Sequence, residues 1–301
     1  MQKPTSHFNS DWTILKILEW TTSFFKSYDI DSSRVTAEIL LAYVLKIERI
    51  DLYLQYDQPL NRDELEMFKE LIKRRAGREP VEYIVGSRGF WSLDMTVTND
   101  VLIPRQDTET LVEEALSFIP EEKKEVPRRI LDLGTGSGAI ILALASERSG
   151  NVFFASDRSY TAIKQARYNQ RVNSIEDTIH FFSGNWFETL NENSQKFDMI
   201  VSNPPYIRSG DIKKLQPEIV FHEPLIALDG GEDGFCEIRN IIYSAYKFLK
   251  KNGYLLLEIG HDQKDGVQEM IDSCGCYEKI VFTKDYAGCW RVVRMMKKEK
   301  K

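Results

Sequence analysis

A chain of 301 residues, 42% hydrophobic and 29% charged, can bury one large core or a large core and a small one. Its net charge of −6 works against functions that need a broad basic face, duplex nucleic-acid binding first among them. The four cysteines (Cys236, Cys274, Cys276, Cys289) form no C-x-x-C pair and the four histidines are scattered. Reduced thiols in a cytoplasmic protein are expected, with no metal site and no disulfide framework. The polar stretch Met1 to Asp11 has no apolar signal core, and no run approaches the length of a membrane span.

Residues from about 11 to 79 read as a small helical domain. A first helix falls near Trp12 to Phe25. Ala37, Leu40, Leu41, Val44 and Leu45 then follow a helical period, with Asp31 as the expected N-cap. Asn61 and Glu64 have the spacing of a capping box, opening a helix through Leu65, Phe68, Leu71 and Ile72 that stops near Gly77 and Pro80. The cations Lys73, Arg74, Arg75 and Arg78 at its end suit the negative pole of a helix dipole. The alternative is a docking patch for an acidic or nucleic-acid-bound partner.

The pattern changes from Val81 to Ile103. Tyr83, Val85, Phe90, Trp91, Met95 and Val97 are β-prone, with Gly86 and Gly89 between the halves, which predicts a hairpin linking two domains. Pro104 to Glu109 opens a helix through Leu111, Val112, Ala115 and Leu116, and Pro120 to Arg129 is a charged loop. The expected division is therefore 1–79, a hairpin linker 80–103, and a large domain 104–301.

Beyond the loop, strands and helices alternate. Strands are expected at Arg129–Leu133, Val152–Asp157, Ile179–Phe182, Phe197–Ser202 and Gly253–Ile259. Helices are expected near Ala139–Glu147, Ser159–Val172 and Phe235–Leu249. This alternation predicts an α/β fold with a doubly wound, mostly parallel sheet. Tyr277–Thr283 and Trp290–Met296 are too closely linked for a crossover, so they form an antiparallel pair. The Lys-rich end is expected to fray.

Three stretches carry chemistry. Leu131 to Ala139, with Gly134, Thr135, Gly136, Ser137 and Gly138, passes from strand to helix through a glycine turn that lets a ligand approach the backbone. Asp132 before it would oppose a pyrophosphate but favour a cationic amino-acid moiety, as in S-adenosylmethionine. Asp157, at the next strand tip, is placed to accept from ribose hydroxyls. Asn185 and Trp186 could hydrogen-bond and flank an adenine, although Trp186 also suits a core position.

Asn203-Pro204-Pro205-Tyr206 ends a buried strand. Neither proline has an N–H, so the Pro204 carbonyl can be aimed away from the sheet, beside the side-chain acceptor of Asn203. Tyr206 adds a flat face and a hydroxyl. Two acceptors and a planar wall suit a planar –NH2 group, a carboxamide or an adenine. An ordinary proline-rich turn is the competing reading.

These stretches resemble the HemK/PrmC family, the glutamine-N5 methyltransferases of peptide chain release factors, within the class I S-adenosylmethionine-dependent methyltransferases. The resemblance also rests on Ile103 to Glu109, His222-Glu223-Pro224, Ala227 to Gly234, Leu255 to Gly260 and Asp285 to Gly288. It implies a seven-stranded sheet whose last strand is antiparallel. It implies transfer of methyl from S-adenosyl-L-methionine, leaving S-adenosyl-L-homocysteine. Cofactor contacts are implied from Gly134 to Gly138, Asp157, Trp186 and Asn203. The substrate glutamine, in a Gly-Gly-Gln loop, is implied to lie on Asn203, Pro204, Pro205 and Tyr206, and the helical domain to help grip the release factor. The family usually has Pro at position 106 and often Asp at 185, where this chain has Gln106 and Asn185.

A monomeric cytoplasmic enzyme of translation termination is therefore expected. Rival readings are glutamine methylation of a ribosomal protein, N6-adenine methylation of nucleic acid, a non-catalytic binding module on the same fold, and an NAD-dependent dehydrogenase. The last would leave Asn203 to Tyr206 unexplained.

Overall fold

The computed structural model describes residues 12–121, 126–176 and 179–299. The expectations for Met1 to Asp11, for the middle of the charged loop and for the last two lysines lie outside these residues. The chain forms two compact units. One runs to Gly86 and takes in Pro217–His222; the other holds Ser87–Gln216 and Glu223 onward.

The first unit is helical: α1 (Ile14–Ser27), α2 (Ser33–Leu45), α3 (Asp51–Leu54), α4 (Arg62–Ala76) and α5 (Val81–Val85). The Asn61–Glu64 capping box opens α4 as its spacing requires: Asn61 Oδ1 accepts from the Glu64 N–H at 2.9 Å, and Glu64 accepts from the Asn61 N–H at 2.8 Å. Ile14, Leu18, Phe25, Leu40, Leu41, Leu52 and Phe68 fill the core, each worth about 1.5–3 kcal/mol on full burial.

Two local expectations are corrected here. The N-cap position of α2 is Ser32, at φ 49°, so Asp31 does not cap it. Residues 81–85 form a helical turn, not the first arm of a hairpin. Pro80 sets the entry, Ile84 is buried, and Gly86 stops the turn at φ 81°.

In the second unit, β1 (Ser87–Phe90) and β2 (Leu93–Thr96) make a short antiparallel hairpin that clusters with this unit. Then come α6 (Glu109–Leu116), β3 (Arg129–Leu133), α7 (Ala139–Glu147), β4 (Val152–Asp157), α8 (Tyr160–Val172), β5 (Ile179–Ser183) and β6 (Phe197–Ser202). They are followed by α9 (Pro217–His222, which clusters with the first unit), α10 (Cys236–Ala245), β7 (Leu249–Glu258), α11 (Lys264–Cys274), β8 (Tyr277–Lys284) and β9 (Trp290–Lys297).

The seven strands lie in the order β5-β4-β3-β6-β7-β9-β8. All of the large-sheet pairs are parallel except those of β9, which runs antiparallel to both neighbours. Alternation along the strands splits the core in two. Ile130, Val201, Leu256 and Val292 face one layer, and Leu131, Ile200, Leu257 and Val293 face the other. Helix α11 is an element that the sequence reading passed over. Its interior Gly266 and polar flanks mask the two buried contacts, Val267 and Ile271.

Several charges in the helical unit are paired within it. Arg74 meets Glu79 at 2.5 Å, while Arg75 and Arg78 both meet Glu218 of α9, at 2.7 and 3.0 Å. Three of the four cations once open to a docking reading are thus neutralised. Glu38, with only 1% of its side chain exposed, takes Arg34 at 2.7 Å, Arg49 at 2.8 Å and the Tyr53 hydroxyl at 2.5 Å. Burial alone would raise its pKa, but the hydrogen bonds from Tyr53, Arg49 and Arg34 outweigh that and hold it below the usual glutamate value. Glu38→Ala should destabilise this unit by about 1.5–3 kcal/mol, read by urea unfolding. Because the Glu38 pKa is depressed on folding, that contribution is present above the ordinary glutamate pKa and fades as the pH falls through the folded value.

Candidate active site

β3 and β6 are neighbours, with Leu133 opposite Ser202. Gly134 and Asn203 come next on each strand, so the glycine turn and the Asn-Pro-Pro-Tyr turn leave the sheet together. They do so where the strand order reverses, the natural crevice of an open α/β sheet. The Ser202 hydroxyl donates to the Leu133 carbonyl at 2.7 Å and ties the two exits to each other.

The glycine turn folds over the tip of β4. The N–H groups of Gly134 and Thr135 both donate to the Ser156 carbonyl at 2.9 Å. Gly136 N–H reaches Asp157 Oδ2 at 2.9 Å, and Ser159 N–H reaches Oδ1 at 2.8 Å. Burial raises the Asp157 pKa against these two amide bonds. Gly134 adopts φ +72°, and a Cβ there would stand 3.5 Å from the Trp186 ring. Trp186 in turn donates from Nε1 to Glu237 at 2.5 Å, which fixes the indole as a wall beside the turn.

On the other side, Asn203 Nδ2 donates to the Thr108 hydroxyl at 3.2 Å. Oδ1 is then the open end of the amide. No described residue donates to the Pro204 carbonyl. The turn is braced from behind. Ile207 N–H donates to the Leu228 carbonyl at 3.1 Å, and Gly230 N–H donates to Ile207 at 2.8 Å. Gly230 packs so closely that a Cβ would lie 2.8 Å from Tyr206 Cα.

Gly134, Gly136, Asp157, Asn185, Trp186, Asn203 and Pro205 line one cavity of about 500 Å³. The remaining residues expected at the site do not line it. Asp132 is fully buried, and its Oδ2 accepts from the Thr135 hydroxyl at 2.6 Å. Ser137 lends its carbonyl to Asn169 at 2.9 Å, and Gly138 packs against Ala166 and Leu142. Pro204 is buried. Tyr206 turns inward, with its hydroxyl donating to Glu258 at 3.1 Å and accepting from Arg291 at 3.4 Å. Asn185 bonds Glu188 at 2.8 Å while still lining the cavity.

The sequence reading missed Glu237, Asp100, Ser159, Leu225 and Ile226 on the cavity wall, and Thr108 behind Asn203. The first five lie outside any compact motif. Thr108 lay inside one, yet its hydroxyl could be linked to Asn203 only through the fold.

Burial raises Asp132 to about 7, opposed by the Thr135 bond and reinforced by the charge of Asp157; its Oδ1 has no partner among the described residues. A buried acid with a raised pKa keeps its proton in the fold after the unfolded chain would release it. Stability from this group is therefore lost as the pH rises from the ordinary aspartate value through about 7. Asp132→Asn should gain in melting temperature relative to the unsubstituted chain between pH 5 and pH 8. A gap independent of pH would contradict the assignment.

The wound sheet with one antiparallel last strand, and a glycine turn facing an open amide acceptor, define a class I methyltransferase. A solved methyltransferase from Pyrococcus furiosus shares the fold, with a TM-score of 0.51 at 17% identity over 74% of this chain and 98% of that one. The PrmC N-terminal domain matches residues 16–86, and the methyltransferase small domain matches residues 113–232. A release factor glutamine methyltransferase from Geobacter sulfurreducens is 40% identical over 88% of this chain and 92% of its own length. One from Rhodopirellula baltica is 35% identical over 96% and 98%. The chain belongs to the release factor glutamine methyltransferase family.

Proposed function

We propose that the chain transfers a methyl group from S-adenosylmethionine to the side-chain amide nitrogen of a glutamine, in the Gly-Gly-Gln loop of a peptide chain release factor. The observation that carries this reading is the shared exit of Gly134 and Asn203, which sets an amide acceptor and a glycine turn on one cavity. A volume of about 500 Å³ lies within the range of small-molecule cofactor sites. Gly134 and Gly136 present backbone without side chains. Asp157, although it accepts two N–H groups, keeps lone pairs for ribose hydroxyls. Trp186 offers a flat wall for a base. When bound, S-adenosylmethionine supplies an electrophilic methyl group on a sulfonium that departs as a neutral thioether.

A carboxamide nitrogen is a weak nucleophile because its lone pair is delocalised into the carbonyl. In this reading its two N–H bonds go to Asn203 Oδ1 on the cavity wall and to the Pro204 carbonyl, which takes no bond from a described residue although buried Pro204 does not itself line the cavity; both raise the electron density on nitrogen and fix its direction. Positioning of this kind supplies roughly 7–11 kcal/mol of a barrier. The motif needs no general base, since the amide proton leaves after transfer. Asp132 supports the turn through Thr135 instead of touching the ligand.

The test is incubation with isotopically labelled S-adenosylmethionine and, separately, purified release factors, ribosomal proteins and DNA, with mass spectrometry locating the methyl group. Methyl on the Gly-Gly-Gln glutamine supports the proposal. Methyl only on a ribosomal protein or on adenine overturns the substrate assignment.

A further inference from the structure

The acceptor end of Asn203 is aimed by one 3.2 Å hydrogen bond, from its Nδ2 to the Thr108 hydroxyl. That bond fixes the amide only as well as the turn before α6 fixes Thr108. Side chains on both sides of Thr108 anchor this turn. Arg105 meets Glu223 at 2.5 Å, Asp107 meets Arg291 of β9 at 3.1 Å, and Glu109 accepts from the Trp91 N–H at 2.9 Å. Thr108 is itself 4% exposed, and its N–H donates to the Arg105 carbonyl at 3.1 Å.

Arg291 differs from the other two anchors because it also touches the opposite turn. Its Nη1 donates to the hydroxyl of Tyr206, in the same Asn-Pro-Pro-Tyr turn as Asn203, at 3.4 Å. Its Nε and Nη2 reach Asp285 Oδ2 at 3.1 and 3.0 Å, and Nη2 also reaches Asp107 Oδ2. The Arg291 carbonyl accepts from the Ile259 N–H at 2.8 Å, which ties its backbone to the chain leaving β7. A planar fork with all three nitrogens engaged spans contacts that a point cation cannot. The bonds to Asp285 close the β8–β9 turn, where Asp285 also accepts from the Cys289 N–H at 2.9 Å. A latch for that turn needs nothing more. The bonds to Asp107 and Tyr206 join the turn that aims Asn203 to the turn that carries it. We propose that Arg291 is a positioning residue for methyl transfer, which sets the Asn203 acceptor by holding these two turns in register. It touches no reacting atom. The inference rests on the amide-acceptor role of Asn203 proposed above.

The experiment has two arms. Asp107→Ala removes one contact of the clamp, at a half-exposed side chain, and leaves the bonds to Asp285 whole. A misplacement of about 1 Å at a reacting centre can cost about 100-fold. Asp107→Ala should therefore lower kcat about 5–50-fold, with cofactor KM changed less than about twofold. Asp107→Asn still offers an oxygen to the guanidinium and should keep kcat within about threefold of the unsubstituted chain. Arg291→Lys should lose at least as much as Asp107→Ala, and combining the two should add less than about twofold to the Arg291→Lys loss. In an Asn203→Ala background, Asp107→Ala should cost less than about twofold more, because no acceptor is left to place. Unchanged kcat in Asp107→Ala, or its full cost in the Asn203→Ala background, overturns the proposal. In the second arm, the Asn203 side-chain N–H resonances are followed by NMR with no substrate present. They should shift and broaden in Asp107→Ala and stay in place in Asp107→Asn. Resonances indifferent to Asp107→Ala also overturn the proposal. If the unsubstituted chain methylates no glutamine, the functional reading fails, while the resonances still decide whether Arg291 holds Asn203.

Discussion

Asn203→Ala is expected to lower kcat by about 10²–10³-fold, the loss typical of one oriented polar group at a catalytic centre. The residue sits on the first position past β6, level with Gly134 past β3. Its Nδ2 is committed to Thr108, so substitution removes an acceptor whose direction the fold has already set. No neighbouring side chain can replace it: Pro204 and Pro205 have no side-chain polar atoms, and the Tyr206 hydroxyl is engaged by Glu258 and Arg291. The backbone turn should survive, since Gly230 and Ile207 hold it through main-chain contacts. Steady-state kinetics on a release-factor substrate would check this. A kcat within twofold of the unsubstituted enzyme would remove Asn203 from the mechanism.

Asp157→Ala should weaken cofactor binding by about 1.5–3 kcal/mol, the worth of hydrogen bonds to a charged group. Two effects combine. The carboxylate is lost as an acceptor for the cofactor, and the N–H groups of Gly136 and Ser159 lose the atom that orders them. Asp157→Asn separates the two effects, because its single carbonyl oxygen can serve only one of those amides. It should fall between the alanine variant and the unsubstituted chain. Titration calorimetry showing unchanged affinity for Asp157→Ala would refute the role.

Much of this architecture was legible because periodicity and chain chemistry agreed. The run Phe197 to Ser202 could only be a buried strand, and the prolines after it could only leave the sheet. The glycine turn announced itself by backbone freedom at Gly134 and Gly136. What failed to show was decided at longer range. Tyr83 and Val85 have strand propensity, yet Pro80 and Gly86 bracket a single helical turn that buries Ile84. Tyr206 looked like an aromatic wall for a ligand, but its hydroxyl accepts from Arg291 of β9, 85 residues further along the chain. Asp132 looked like a contact for a cation. Its complete burial and its bond to Thr135 follow from its partners Ala155 and Val201 on the adjacent strands, which local sequence cannot reveal.

The pairing of Glu218 with Arg75 and Arg78 sets an order of events during synthesis. The guanidinium of Arg75 has only 7% of its side chain exposed, and the acid that compensates it lies more than 140 residues downstream. A nascent chain emerging from the ribosome cannot complete its helical bundle until α9 has followed. A fragment cut at residue 86 would lack the acid that pairs with this cation and the segment that packs with the bundle, and is expected to be less stable than the bundle with Pro217–His222. Dissection of this protein into separate pieces should therefore carry Pro217–His222 with the bundle, as a fused or co-expressed peptide.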